Sequence, residues 1–220
     1  MTTTASAKER LTDAAFALFD ERGYDATTVD DIAQRAGVGR TTFFRLFRGK
    51  EDVIFPDHDQ MLAVIGNRLK ASTSETALVA VAEAARLVLL HYLAEGSLAR
   101  SRYRLTSMVR ALRDREIAGQ RRYQRAFRVF IHTWMGGTPE TALSAELMAN
   151  AVVTTHNHVL RQWLQEKTST PEADFDVAMA RTVGMFDKGV PAAGQEASLV
   201  VLRTTKDLDE ILPILRKFTS

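Results

Sequence analysis

The stretch TTVDDIAQRAGVGRTTFFRLF, residues 27–47, decides the fold. It opens on Thr28 with Asp31 three residues later, a spacing that lets hydroxyl and carboxylate satisfy the free N–H groups of a starting helix. Val29, Ile32 and Ala33 then fall on one face, and Ala36-Gly37 stops the helix. Gly39 restarts the chain into a short basic segment. Residues 38–50 carry Arg40, Arg45, Arg48 and Lys50 and no acid, whereas acids outnumber bases in residues 1–37. Val38, Phe43 and Phe47 can face the preceding helices, which leaves Arg40, Thr41, Thr42 and Arg45 on the other side. Such a helix is either an ordinary solvated face or one built for DNA. In the second case arginine bonds a guanine edge and threonine a base or a thymine methyl.

Working outward, Leu11, Ala14, Ala15, Leu18 and Phe19 repeat at helical spacing, and Glu21-Arg22-Gly23 supplies a glycine stop. Three short helices joined by glycine-bearing turns therefore fill the first fifty residues, and the Ala36–Gly39 turn suits a helix-turn-helix. The N-terminal turns at Thr28 and Lys50 offer backbone N–H groups to phosphate oxygens.

Residues 9–54, ERLTDAAFALFDERGYDATTVDDIAQRAGVGRTTFFRLFRGKEDVI, resemble the DNA-binding domain of the TetR family of bacterial transcriptional regulators. The resemblance implies an all-α dimer that reads a palindromic operator and acts as a repressor released by a small molecule. It implies that Gly39, Arg40, Thr41, Thr42, Phe44 and Arg45 lie at or near the DNA, and that Thr27, Thr28 and Lys50 hold phosphates. Two positions depart from the pattern. The family often has Tyr at the position of Phe44 and Tyr or His at that of Leu46. Neither residue here offers the polar tip, which leaves Arg45 and Arg48 as substitutes.

From these readings a helix-turn-helix DNA-binding domain is expected over residues 1–50 and a ligand-binding and dimerisation domain over 51–220. A longer helix is expected from Lys50 to Leu69, with Pro56 as an alternative first turn. A polar break follows at Lys70 to Thr76, then a broad apolar helix from Leu78 to Leu93. Further helices are expected over roughly 98–115, 117–135, 140–166 and 172–188. Ala197 to Thr205 is a candidate strand and Leu208 to Leu215 a final helix.

The helix near 140–166 is apolar over much of its circumference, so it is buried on two sides. With the next helix it supplies a candidate dimer interface through Leu143, Leu147, Ala151, His158, Met179, Val183 and Phe186. Arg100 to Arg128 holds ten arginines against Asp114 and Glu116. Three readings fit them: a solvated face with salt bridges to neighbouring helices, the entrance to a pocket for an anionic or amphipathic effector, or a secondary contact with DNA or protein. A pocket there would draw on Tyr103, Arg104, Met108, Tyr123, Phe127 and Trp134.

Composition excludes several classes. Without cysteine there is neither a disulfide framework nor a thiolate metal site. His156 and His158 stand two apart and do not share a helical face, and no catalytic motif is present, so no metal, cofactor or enzymatic activity is expected. The N-terminus has no apolar leader, no apolar run approaches a membrane span, and a cytoplasmic location is expected. A net charge of +2 says little about partners. The alternative function is a DNA-binding regulator that lacks a small-molecule sensor.

Overall fold

The computed structural model describes residues 5–55 and 57–187. Among these residues the chain is all-helical. The N-terminal helices are α1 (Ala7–Arg22), α2 (Val29–Arg35), α3 (Arg40–Leu46) and α4 (Lys50–Ile54). They are followed by α5 (His58–Lys70), α6 (Ala77–Glu95), α7 (Ser97–Met108), α8 (Arg110–Trp134), α9 (Ala142–Leu164) and α10 (Pro171–Asp187). The candidate strand at 197–205 and the final helix at 208–215 lie outside the described residues.

Local chemistry sets the first three helices. Ser6 and Glu9 form a reciprocal capping box at the start of α1, and Gly23 ends the helix with a φ of +83°. Thr28 and Asp31 form the second box: Thr28 N–H donates to the Asp31 carboxylate at 3.0 Å, and Asp31 N–H donates to the Thr28 hydroxyl at 3.2 Å. Gly37, at φ +65°, makes the turn that aims α3 away from α2. Thr28→Ala is expected to cost about 1 kcal/mol, because an N-cap hydroxyl and its reciprocal partner are lost together. A urea-denaturation midpoint unchanged from the parent would contradict this.

Two expected helices are divided differently. The helix expected from Lys50 to Leu69 is two, since Phe55 is extended and Asp57 starts α5 afresh as its N-cap, accepting from Gln60 N–H at 3.1 Å. The helix expected over 98–115 ends at Met108, because Val109 is extended, and α8 begins at Arg110. The expectation that no apolar run reaches span length is also corrected: α6 is long and apolar enough to cross a membrane by length and composition. Its Ala80, Val81, Ala84, Ala85 and Leu89 are buried in a protein core against α5, α9 and α10. Val79 and Leu90, on its other faces, are exposed.

The described residues build two cores. One gathers Leu11, Phe19, Ile32, Phe43 and Ile54, and draws Leu105 of α7 and Leu112 of α8 into the same cluster. The other gathers Ile65, Leu89, Phe127, Ile131, Met148 and Phe175, from α5, α6, α8, α9 and α10. The α7–α8 corner thus belongs to the core of the N-terminal helices as well as to its own helices.

Candidate nucleic-acid interface and effector cavity

Helix α3 is anchored from one side and open on the other. Phe43 is fully buried and Phe47 nearly so, while Arg40, Thr41, Phe44 and Arg45 are exposed and Thr42 is half-buried. Gly39, its N-cap, is exposed as well. Arg40 pairs with Asp30 at 2.7 Å, and its guanidinium lies 5.3 Å from the Phe44 ring centroid. The surface therefore presents two arginines and a threonine around an exposed aromatic ring.

The residues expected to hold phosphate are placed less simply. Thr27 is buried, with its hydroxyl donating to the carbonyls of Gly23 at 2.9 Å and Leu18 at 3.3 Å, so that side chain is committed to closing the end of α1. Lys50 donates to the carbonyls of Tyr24 at 2.8 Å and Thr27 at 3.0 Å, with its ammonium 4.2 Å from the Tyr24 ring centroid. It works as a staple from α4 to the α1–α2 turn. Thr28 stays exposed while capping α2.

The outward faces of α9 and α10 carry apolar side chains. Leu143 and Leu147 are exposed, Ala151 is half-buried and His158 is exposed. On α10 the helical phase differs from expectation: Met179 is buried in the chain's own core, and Val183 and Phe186 pack against that core. Val177 and Met185 face outward instead.

A cavity of about 60 Å³ lies between the α4–α5 junction and helices α6 to α9. Its apolar walls include Val88, Phe127, Val153 and Leu160, and its polar lining includes Tyr92, Arg102, Glu116 and His156. Tyr123 and Phe127 are the two expected pocket residues found there. The other four expected pocket residues lie elsewhere. Tyr103 accepts from Gln165 at 2.7 Å, Arg104 is exposed 3.8 Å from Asp20, Met108 is exposed, and Trp134 donates to the Ser74 carbonyl at 2.9 Å. The phase of α7 turns Arg102 inward and Arg104 outward.

Of the ten arginines between 100 and 128, only Arg102 lines this cavity. Three of its five N–H donors are engaged: Nη1 and Nη2 bond Glu95 at 2.6 and 2.8 Å, and Nε bonds the Ile54 carbonyl at the end of α4. Several others make the interhelical salt bridges of the solvated-face reading. Arg115 reaches Asp52 and Arg122 reaches Asp59, tying α8 to α4 and α5.

Two histidines and a carboxylate define the cavity's electrostatics. Burial, aided by Arg122, lowers the pKa of His58, whose Nδ1 is 2.8 Å from the Tyr123 hydroxyl. His58 sits so close to α8 that a Cβ on Gly119 would lie 2.9 Å from its Nε2, which accounts for glycine at that position. Burial brings the pKa of His156 down to about 4, so the ring is neutral near pH 7. Its Nδ1 is 3.1 Å from Asn157 Oδ1, and Asn157 Nδ2 donates to Gln120 Oε1. In that arrangement Nδ1 carries the proton and Nε2 is an acceptor, buried without a hydrogen-bond partner among the described residues. Burial raises the pKa of Glu116, opposed by a hydrogen bond from Thr106 and by Arg102 and Arg161. The sequence places neither residue in a pocket: Glu116 is weighed there only against the arginines around it, and His156 only as a metal ligand or a core histidine. Both stand in apolar stripes, Glu116 between Leu112 and Tyr123 on α8 and His156 between Val152 and Leu160 on α9.

Residues 11–55 match the family model described as bacterial regulatory proteins, tetR family. The likeness to the tetR family is thus carried by the N-terminal helices. A curated relative, the HTH-type transcriptional regulator YvkB of Bacillus subtilis, is 41% identical over 46 residues, which are 21% of this chain and 24% of the relative. The chain thus spans about a quarter of the length of that relative. Beyond the TetR-type helices the likeness is one of fold. SmeT in complex with triclosan aligns with a TM-score of 0.62 at 18% identity, covering 82% of this chain and 91% of that one. SmeT is the repressor of a Stenotrophomonas maltophilia multidrug efflux pump. FadR from Bacillus subtilis, in complex with stearoyl-CoA, aligns with a TM-score of 0.56 at 19% identity, covering 79% and 96%.

Proposed function

We propose that the chain is a sequence-specific DNA-binding transcriptional regulator of the cytoplasm. In this reading it is a dimeric repressor, not an enzyme, released from a palindromic operator by a small molecule. The observation that carries the reading is the open face of α3, where Arg40, Thr41 and Arg45 surround exposed Phe44 within a TetR-type trihelical unit. Residues 1–50 would form the reading head and 51–220 the sensing and dimerising part, with α4 packed into the head's core. Thr28, the N-terminus of α4 and Arg48 are assigned to phosphates, and Gly39 and Thr42 to the DNA-facing edge of α3. Leu143, Leu147, Ala151 and His158 on α9, with Val177 and Met185 on α10, are assigned to the dimer contact.

The effector would occupy the cavity behind α4. At about 60 Å³ it has the volume of roughly two water molecules, so binding must widen it. The walls that would move include Phe55 and His58 beside α4. Arg102 joins the cavity to the last carbonyl of α4. An effector that binds the widened state better would shift the heads away from the spacing that two half-sites require. That SmeT is seen with triclosan and FadR with stearoyl-CoA supports a small-molecule role for this fold. The small cavity also favours the alternative, a DNA-binding regulator with no small-molecule sensor.

Fluorescence anisotropy with DNA flanking the gene tests the reading. Two chains should bind one palindrome, and failure to bind any palindrome from that region at low salt would overturn it. Arg40→Ala should cost about 1–3 kcal/mol at the operator and much less on random DNA. Its guanidinium has only to exchange the exposed Asp30 for a base edge. Equal losses on both DNAs would remove Arg40 from the base-reading set.

A further inference from the structure

The cavity lining is unbalanced in one direction. One group facing it is an acceptor without a donor, and a second is a carboxylate that takes a hydrogen bond from Thr106 but pairs with no cation among the described residues. His156 is 7% exposed, and its Nε2 is buried with no partner among the described residues. The Glu116 carboxylate has no cation within salt-bridge distance among the described residues, although Arg102 lines the same cavity. Arg102 is the cavity's one guanidinium, and each of its three nitrogens already donates to Glu95 or to the Ile54 carbonyl. An incoming anion would therefore meet a carboxylate and an imidazole lone pair, with the positive charge already neutralised. A ligand that brings donors and positive charge meets the opposite situation. Buried polar atoms that lack partners carry a desolvation cost which such a ligand relieves. The rings of Tyr92, Tyr123 and Phe127 line the same space, and aromatic faces attract an ammonium.

We propose that the effector is a hydrophobic amine in its ammonium form, with N–H donors on His156 Nε2 and the Glu116 carboxylate and its apolar body among Val88, Phe127 and Leu160. This rests on reading the cavity as an effector site and specifies the chemical class that fits it. A long-chain carboxylate or acyl phosphate, the anionic ligand that the arginine-rich segment suggests, is excluded by the same lining. Chain length is set by how far the apolar walls open. Charge and donor count are set by the two acceptors.

Three eight-carbon probes separate the possibilities: octylamine, 1-octanol and octanoate, titrated at pH 7 into the full chain by calorimetry and into its DNA complex by anisotropy. Octylamine should bind at least about tenfold more tightly than octanoate, the size expected of one charge-assisted hydrogen bond. Octanol should fall between them, and octylamine should release DNA. Glu116→Gln keeps the shape and removes the charge. It should weaken octylamine by about tenfold while leaving octanol little changed. Octanoate binding as well as octylamine, or octylamine insensitive to Glu116→Gln in a folded variant, would overturn the proposal. If the variant fails to fold, the ranking of the three probes on the unaltered protein still decides. Octanoate ranking first and releasing DNA would overturn the amine and leave the sensor intact. No binding by any probe, with DNA binding preserved, would overturn the amine and favour the regulator without a sensor.

Discussion

Arg102→Ala is expected to destabilise the fold by about 3–5 kcal/mol, the cost of breaking a buried ion pair from one side. Arg102 is 5% exposed and holds Glu95 through two hydrogen bonds. Removing it leaves a partly buried carboxylate without its cation, and the Ile54 carbonyl without its Arg102 donor. The Tyr92 ring, 5.6 Å from the guanidinium carbon, also loses its cationic neighbour. Arg102→Lys should recover part of the loss, since an ammonium keeps the charge but cannot present the planar fork that serves a carboxylate and a carbonyl together. Urea denaturation of the three proteins checks this. An alanine variant within about 1 kcal/mol of the parent would show that the pair is replaceable by water or by packing.

Stability is expected to fall by a few kcal/mol, of order 3, as the pH is lowered from 6.5 toward 4, with His156 responsible. The sign follows from proton counting. In the unfolded chain the imidazole takes up a proton near 6.5, while in the folded chain burial delays it to about 4. Between those values the unfolded state binds more protons, so acid favours unfolding, and the full contribution is present above pH 6.5. His58, also lowered by burial, acts in the same direction. Glu116 acts in the opposite one: its raised pKa gives stability that is present at low pH and lost as pH rises through its folded value. Comparing the parent with His156→Gln cancels the terms they share. The variant should show a flatter decline between pH 6.5 and 4.5, and equal slopes would remove His156 from the account.

How much of this was legible in the sequence depends on the range of the interactions involved. The first three helices are written in local chemistry, with Thr28 and Asp31 three apart and Gly23 and Gly37 where the chain must turn. Phe43 could be assigned inward from spacing alone. The break between α4 and α5 was legible only through the alternative first turn at Pro56, and the corner at Val109 was not legible, because apolar spacing runs through both. Lys50 is expected from the sequence at phosphate; that its ammonium is engaged by carbonyls more than twenty residues earlier was not legible, because carbonyls leave no mark on a sequence. The cavity was the hardest part. Its lining comes from five helices and the junction before α5, and Arg102 and Arg104 look alike in a row of ten arginines. A signal did exist in helical phase, since Glu116 and His156 each interrupt an otherwise apolar stripe. Polar residues placed there are buried by their neighbours whatever their own preference.

Leu105 and Leu112 complete the core of the N-terminal helices. A fragment ending at residue 55 would expose the patch these two leucines cover, and a chimaera made by joining this head to another body would meet a foreign corner there. Swapping specificities between relatives therefore calls for transplanting the α7–α8 corner with the head, or for changing only the outward residues of α3. Any change of DNA specificity in the proposed reading head faces the same restriction. Surface positions on one short helix can drift freely, while the seam behind them must change on both sides at once.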